Sequence, residues 1–580
     1  MRLRHFIACA ALVTASAVPA FAAADVADAM MRRDKAALRA LLQKKADVNA
    51  PQVDGTTAVH WAVYQGDLEA LDLLIKAGAR VTAANRPGMT PLAMAALYGN
   101  VPMIERLLKA GADAKSLGPN GETMVMFAAR NGNPQAIGAL VQAGADVNAA
   151  ERIRGTTALM WAAEQKHPEA IRALLAAGAD PQAKSGPAGL PRNYMAPRVN
   201  TRAVEQSKQR RERAAAAGKT YAQLLAEEQR AGTVAVRGAA PPPPTTPPPD
   251  DSEIVVAGLV GSGGGGLTPL VFAAREGDVE SAQVLIEAGA DVNQTTEYGW
   301  TPLLTAVNNR NYALAKLLIE RGANVNLGNK GGWTPLYIAT DNRNIEGGDY
   351  PVPKPDLDHL EIIRLMLEKG ADPNAPIKEN TLTRTIFTMQ WFFEDGATPF
   401  IRAAQSSDTV LMKLLLEYKA DPKVVTAQGD NALTASAGIG WVDGVTYERS
   451  PKENLEAVRM LLDLGLDPNS ANQEGRTPLM GAALKGRTEV IQLLVDRGAR
   501  LDTRDRGSRD THIPGATIAG LTWEALDYAE GLVRVGVQSA VERPEAVALI
   551  RKLMAERGLK VPPANRTINS ICVVALCDGQ

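Results

Sequence analysis

Thr90-Pro91-Leu92-Ala93-Met94-Ala95-Ala96-Leu97-Tyr98-Gly99, continuing through Asn100-Val101-Pro102-Met103-Ile104-Glu105-Arg106-Leu107-Leu108-Lys109-Ala110-Gly111-Ala112-Asp113, is the stretch on which the fold turns. Thr90 is suited to cap a helix that Pro91 enters at its first turn, where a missing N–H leaves no bond unmade. Ala95 and Ala96 keep that helix thin, so a neighbour can stack closely. Gly99 breaks it. A second, antiparallel helix then carries Ile104, Leu107 and Leu108 at core-facing spacing, and Gly111 ends it in a left-handed cap. The polar residues that follow turn the chain out to whatever comes next.

What comes next is the same phrase again. Its threonine, or a substitute, falls at Thr57, Thr90, Thr123, Thr157, Thr268, Thr301, Thr334, Thr398, Asn431 and Thr477. The intervals are 33, 33 and 34 residues in the first run, 33 and 33 from Thr268 to Thr334, and 33 from Thr398 to Asn431. Each unit also closes alike, with Gly78-Ala79, Gly111-Ala112-Asp113, Gly144-Ala145-Asp146 and Gly289-Ala290-Asp291 as examples. Self-similarity at a fixed period is the mark of a solenoid built from stacked supersecondary units.

The phrase and its period resemble the ankyrin repeat, and the resemblance covers most of residues 25–560 in ten to twelve units. It implies an all-α solenoid of helix-turn-helix units with β-hairpin-like fingers, and a concave binding surface lined by the fingers and first helices. The pattern varies in places: histidine follows the opening phrase only at His60, Met160 stands in its place elsewhere, and Lys419-Ala420 and Gly465-Leu466 alter the closing turn. Residues 25–53 lack the opening phrase but keep Leu38, Leu41 and Leu42, and read as an N-terminal cap. A degenerate last unit begins at Thr522 and has Ala546 to Met554 in its second helix. Terminal units of this kind are required where a solenoid face has no stacked neighbour.

The expected organisation is a signal peptide at 1–22, a capped repeat block at 25–186, a linker at 187–264, a second repeat block at 265–560, and a tail at 561–580. The N-terminus runs from basic Met1-Arg2-Leu3-Arg4-His5 through an apolar stretch to small Ala20-Phe21-Ala22, the design of a secretory signal. The apolar stretch is shorter than the roughly 20 residues of a membrane span. Export, to the periplasm or the medium of a bacterium, is therefore the expectation. With the signal removed, Cys572 and Cys577 are the cysteines left, and an oxidising compartment favours a disulfide between them. Metal binding is the rival reading, but two cysteines with no nearby histidine fall short of a four-ligand zinc site.

The linker joins a charged stretch at 201–230, including Lys208-Gln209-Arg210-Arg211-Glu212-Arg213, to the prolines of 241–249, whose composition suits polyproline II. It reads either as a solvated spacer or as a docking segment. Near its end, Glu253 to Gly266 formally matches a strand followed by Gly-x-Gly-x-x-Gly. Gly266-Leu267-Thr268 opens another repeat instead, and neither a βαβ unit nor a Lys-Ser/Thr pair follows, so no nucleotide site is assigned. Other insertions lengthen the turn between paired helices at 341–359 and 438–454, and the finger at 375–396.

That finger carries Phe387, Trp391, Phe392 and Phe393 in a chain only 4% aromatic, and aromatic anchors are frequent at interfaces. They are partner-binding candidates, with packing onto the array as the alternative. Trp300 and Trp333, between the finger glycine and the cap threonine, are candidates of the same kind. Trp61 and Trp161 sit in first helices, where a core or half-buried role is expected, and Trp441 and Tyr447 lie on an inter-helix insertion.

No catalytic residue, cofactor or metal ligand set emerges. His60, His167, His359 and His512 are scattered over different units without metal-ligand spacing. No nucleophile elbow or His-Glu-x-x-His helix occurs. With 63 basic against 64 acidic residues there is no net field to steer nucleic acid or an anionic surface. The expectation is a monomeric, non-enzymatic scaffold that holds a protein partner. The alternative is an enzyme or accessory subunit whose chemistry lies in an insertion or in a bound partner.

Overall fold

The computed structural model describes residues 24–186, 265–344, 354–378, 395–441, 447–505, 522–533 and 541–566, with a few positions between 213 and 227. Its regular structure among these residues is helical, as expected of an all-α solenoid. Contacts divide the chain into two units: one runs to Ala179 without 154–156, and the other takes 154–156 and everything from Asp180 on.

Among the described residues, the first unit holds five helix pairs: Asp25–Met31 with Lys35–Gln43, Ala58–Gln65 with Leu68–Lys76, Pro91–Leu97 with Val101–Lys109, Met124–Asn131 with Pro134–Gln142, and Ala158–Glu164 with Pro168–Ala176. The described residues of the second hold seven. These are Pro269–Glu276 with Val279–Glu287, Pro302–Asn308 with Tyr312–Glu320, Pro335–Arg343 with His359–Glu368, Pro399–Gln405 with Thr409–Glu417, Ala432–Ala437 with Pro451–Asp463, Pro478–Lys485 with Thr488–Asp496, and Ala525–Ala529 with Pro544–Glu556. Within each unit the first, or inner, helices of successive pairs pack on one another.

The local chemistry of the quoted stretch is realised. Thr90 Oγ1 accepts from the Ala93 amide at 3.2 Å, and Pro91 sits in the first turn. The second helix ends in a Schellman motif, with the Gly111 amide on Leu108 O and the Ala112 amide on Leu107 O. Ala95 and Ala96 are fully buried, and so are their counterparts Ala128 and Ala129 one repeat later. Met103, Ile104 and Leu107 form the buried stripe of the outer helix, whereas Leu108 is only half-buried.

Fingers are tight turns closed by their own backbone bonds, with isolated bridges such as Leu117 to Thr123 and Val425 to Asn431. Many successive fingers are also joined by a backbone bond. The Lys330 amide donates to Tyr298 O at 3.1 Å, Lys378 to Gly331 O at 2.8 Å, and Gln473 to Gln428 O at 2.8 Å. An asparagine adds a second rung: Asn293 Nδ2 donates to Gly322 O at 3.2 Å, and its Oδ1 accepts from the Asn324 amide at 2.7 Å. The preceding Asp291 caps its own turn by accepting from the Asn293 amide, the turn role expected of the recurring Gly-Ala-Asp carboxylates.

The 187–264 segment leaves from one finger and returns to it. The Ser185 amide donates to Leu267 O, and the Leu267 amide to Ser185 Oγ, both at 2.9 Å. Gln182 Nε2 reaches Gly289 O at 3.1 Å, the bond that asparagine makes in other repeats. By its contacts, this finger, formed by 180–186 and 265–267, belongs to the second unit.

Candidate functional site

Trp300 and Trp333 are buried rather than displayed on the finger surface. Each follows a finger glycine in the left-handed region and precedes the cap threonine, and this position points inward, leaving the two indoles 3% and 2% exposed. The Trp333 amide is pinned by Asn329 Oδ1 at 3.1 Å, and its ring meets Tyr337 edge-to-face at 4.9 Å. Phe387, Trp391, Phe392 and Phe393, like Cys572, Cys577 and His512, lie outside the described residues.

Among the described residues, the two most exposed aromatic side chains, Tyr64 and Tyr98, belong to the first unit, and Tyr447 of the second is 37% exposed. Trp61, half-buried, donates its indole N–H to Gln52 Oε1 at 2.8 Å, and Gln52 is held in turn by Asp28 at 2.6 Å. One helical turn on, Tyr64 is 56% exposed and meets Trp61 edge-to-face at 5.7 Å. Tyr64 also meets Tyr98, which caps the end of the next inner helix, at 6.1 Å. Further along, Phe127 and Trp161 pair edge-to-face at 6.4 Å, and the Arg130 guanidinium lies 5.8 Å from the Trp161 ring centre. The fingers of the same unit add exposed Val53, Leu117 and Ile153, with Val53 79% and Ile153 68% exposed.

Single exposed apolar residues are ordinary. Aromatic rings on successive inner helices of one unit, with apolar residues on fingers of that unit, are not scattered. Sequence reasoning missed Tyr64 and Tyr98 because they sit at different positions of their repeats, seven and eight residues after the cap threonine, and so leave no periodic trace. Val53, Leu117 and Ile153 were legible as apolar residues in otherwise polar fingers.

The described histidines that follow serve the scaffold. His60 is buried, with Nδ1 against Thr57 N and Oγ1 at 3.1 and 2.9 Å and Nε2 on Met89 O at 3.0 Å. Burial lowers its pKa and keeps it neutral. His167 Nε2 donates to Arg130 O at 3.1 Å. Among the described residues there is no group of three or more side chains able to hold a metal ion. No helix among them is long and apolar enough to cross a membrane.

The second unit carries buried charge on its inner helices and at the insertions between paired helices. Arg402 pairs with Asp341 at 2.7 Å and also donates to Ser406 Oγ and Asn344 O. Asp408, fully buried, accepts from Arg343 Nε at 2.7 Å and from Arg449 Nη2 at 2.9 Å. Glu448 accepts from Lys485 at 2.6 Å and Arg487 at 2.7 Å. Trp441, on the same insertion as Glu448, lies between the Lys485 and Arg543 cations, each 5.9 Å from its ring centre. These ion pairs fasten the insertion ends to the repeats.

Paired helices, finger ladder and cap chemistry together define a helical-repeat protein of the kind whose units cannot stand alone. A sequence profile described as "Ankyrin repeats (3 copies)" matches residues 27–117, 92–185, 270–377 and 450–508, together more than half of the chain. The chain belongs to the ankyrin-repeat family. It is similar to Ankyrin repeat and SOCS box protein 16 of Homo sapiens, 27% identical over 206 residues, 32% of this chain and 44% of that protein. Ankyrin repeat domain-containing protein 63 of Homo sapiens is 32% identical over 143 residues, 24% of this chain and 32% of that protein. Palmitoyltransferase AKR1 of Lachancea kluyveri is 31% identical over 153 residues, 26% of this chain and 17% of that enzyme. The chain thus spans less than half the length of each of these relatives.

Proposed function

We propose that the chain is a non-enzymatic scaffold that holds a segment of a partner protein against the inner-helix face of its first unit. The observation that supports this is the Trp61–Tyr64–Tyr98 cluster with Val53, Leu117 and Ile153 on fingers of the same unit. Rigid aromatic side chains give large contact area at low entropy cost and are enriched among residues that dominate binding energy. Membership of a family of repeat proteins, which present extended surfaces rather than pockets, points the same way. The test is a pull-down with the mature chain and with a Tyr64→Ser, Tyr98→Ser double variant, read by mass spectrometry. A partner held by the first and lost from the second supports the reading. Equal recovery from both removes this face from the account.

Export of the chain belongs to the same proposal and rests on the Met1 to Ala22 pattern; cell fractionation of the full-length protein tests it. A disulfide between Cys572 and Cys577 follows only if export holds. The reading of the chain as an enzyme or enzyme subunit gains little from the palmitoyltransferase, since the match covers 17% of that protein.

A further inference from the structure

Asp430 occupies the position that Trp300 and Trp333 fill in earlier repeats, between a finger glycine and the cap residue, here Asn431. It is as buried as they are, at 1% exposure. Its finger is closed around it: the Asp430 amide donates to Thr426 Oγ1 at 3.1 Å, and Asp430 O accepts from the Thr426 amide at 2.7 Å. The carboxyl has one donor across the repeat boundary, Asn472 Nδ2, at 3.1 Å from Oδ1. Oδ2 is buried without a hydrogen-bond partner.

The groups that face this carboxyl come from its own helix and from the next finger. Thr434 lies one turn along the helix, while Asn472, Glu474 and Arg476 belong to the following repeat. Arg476 is itself engaged further on, with Tyr528 and Asp505. An ionised carboxylate here would hold a buried charge against only the Asn472 amide and the Thr434 hydroxyl, and removing that charge from water costs more than burying the neutral acid. Burial pushes the Asp430 carboxyl up to about 7, against the opposing pull of Asn472 and Arg476.

We propose that Asp430 is a proton-operated clasp between the fingers at 426–431 and 472–476, closed when the carboxyl is protonated and loosened locally when it ionises. Because the group binds its proton more tightly folded than unfolded, the clasp is at full strength below the ordinary aspartate range of about 4. It weakens as pH rises from there and is lost on passing about 7. A compartment that follows the pH of the medium would then set how firmly these repeats are joined. The clasp lies in the second unit, so it stands or falls independently of the aromatic face of the first.

Hydrogen exchange of the full chain, read by mass spectrometry and corrected for intrinsic rates, tests this. Amide protection at 426–431 and 472–476 should fall by roughly tenfold or more between about pH 5 and about pH 8, while the isosteric Asp430→Asn stays level. Asp430→Leu, which removes the titrating group altogether, should also be level. Unchanged protection in the unmodified chain, or the same fall in either variant that folds, overturns the proposal.

Discussion

Arg402 and Asp341, on inner helices of successive repeats, meet at 2.7 Å with side chains 2% and 4% exposed. Arg402 stands four residues after its cap threonine, where other repeats carry Trp61, Phe127 or Ile338. Removing one member of a buried pair strands the other charge. Arg402→Ala is therefore expected to cost about 3–5 kcal/mol, and the apolar double change Arg402→Met, Asp341→Leu distinctly less. Urea unfolding of the three proteins measures both. A cost for Arg402→Ala under about 1 kcal/mol would mean that Asp341 finds water or another cation.

Two glycines of one repeat separate backbone strain from crowding. Gly322 has φ +91° and nothing within 4 Å of the place a Cβ would take, while Gly332 has φ +78° and the Lys378 amide nitrogen at 2.9 Å. Gly322→Ala should cost only the left-handed penalty of about 1–2 kcal/mol. Gly332→Ala should cost more, because the Lys378 amide it would displace also bonds Gly331 O across the fingers. Equal unfolding midpoints for the two variants would show that the finger ladder yields freely.

His359 sets a pH dependence of opposite sign to that of Asp430. The Tyr312 hydroxyl lies 2.8 Å from its Nδ1. Burial, and then the charges of Arg310 and Arg343, push the imidazole down to about 4. Burial likewise raises the Tyr312 pKa, so its hydroxyl keeps the proton it donates to the neutral ring. The unfolded chain takes up a proton near 6.5 that the folded chain refuses until about 4, so this contribution to stability is lost as pH falls through that window. Unfolding midpoints compared between the unmodified chain and His359→Gln should converge from about pH 7 down to about pH 4. A constant difference between them would show that the ring is not held neutral.

The repeat itself was legible because Thr, Pro and Gly fix backbone geometry, and the same geometry must return every 33 residues. Thr90, Pro91, Ala95, Gly99 and Gly111 each do what their type dictates. The gaps between Arg343 and His359 and between Ala437 and Pro451 were legible for the same reason, since each interrupts a known interval. The side of the chain to which a side chain turns was not. Trp300 and Trp333 lie in fingers, which suggests exposure, yet the left-handed glycine before them and the cap after them turn the indole inward. Tyr64 and Tyr98 become neighbours only through the stacking of adjacent helices, so no single repeat shows the pair. Arg402 had one visible sign, a charge in the run Pro399-Phe400-Ile401-Arg402-Ala403-Ala404, which is otherwise core. Its partner Asp341 lies two helices away, across an insertion that alters the spacing.

The partner-binding account is tested most directly by site-specific photo-crosslinking in the native compartment. A photoreactive residue replaces Tyr64, Leu117 or Ile153 on the inner-helix face and fingers, or Glu105 on an outer helix, and adducts are identified by mass spectrometry. The account expects one shared protein adduct from the three face positions and none from Glu105. Adducts from Glu105 alone, or no shared adduct among the face positions, would contradict it.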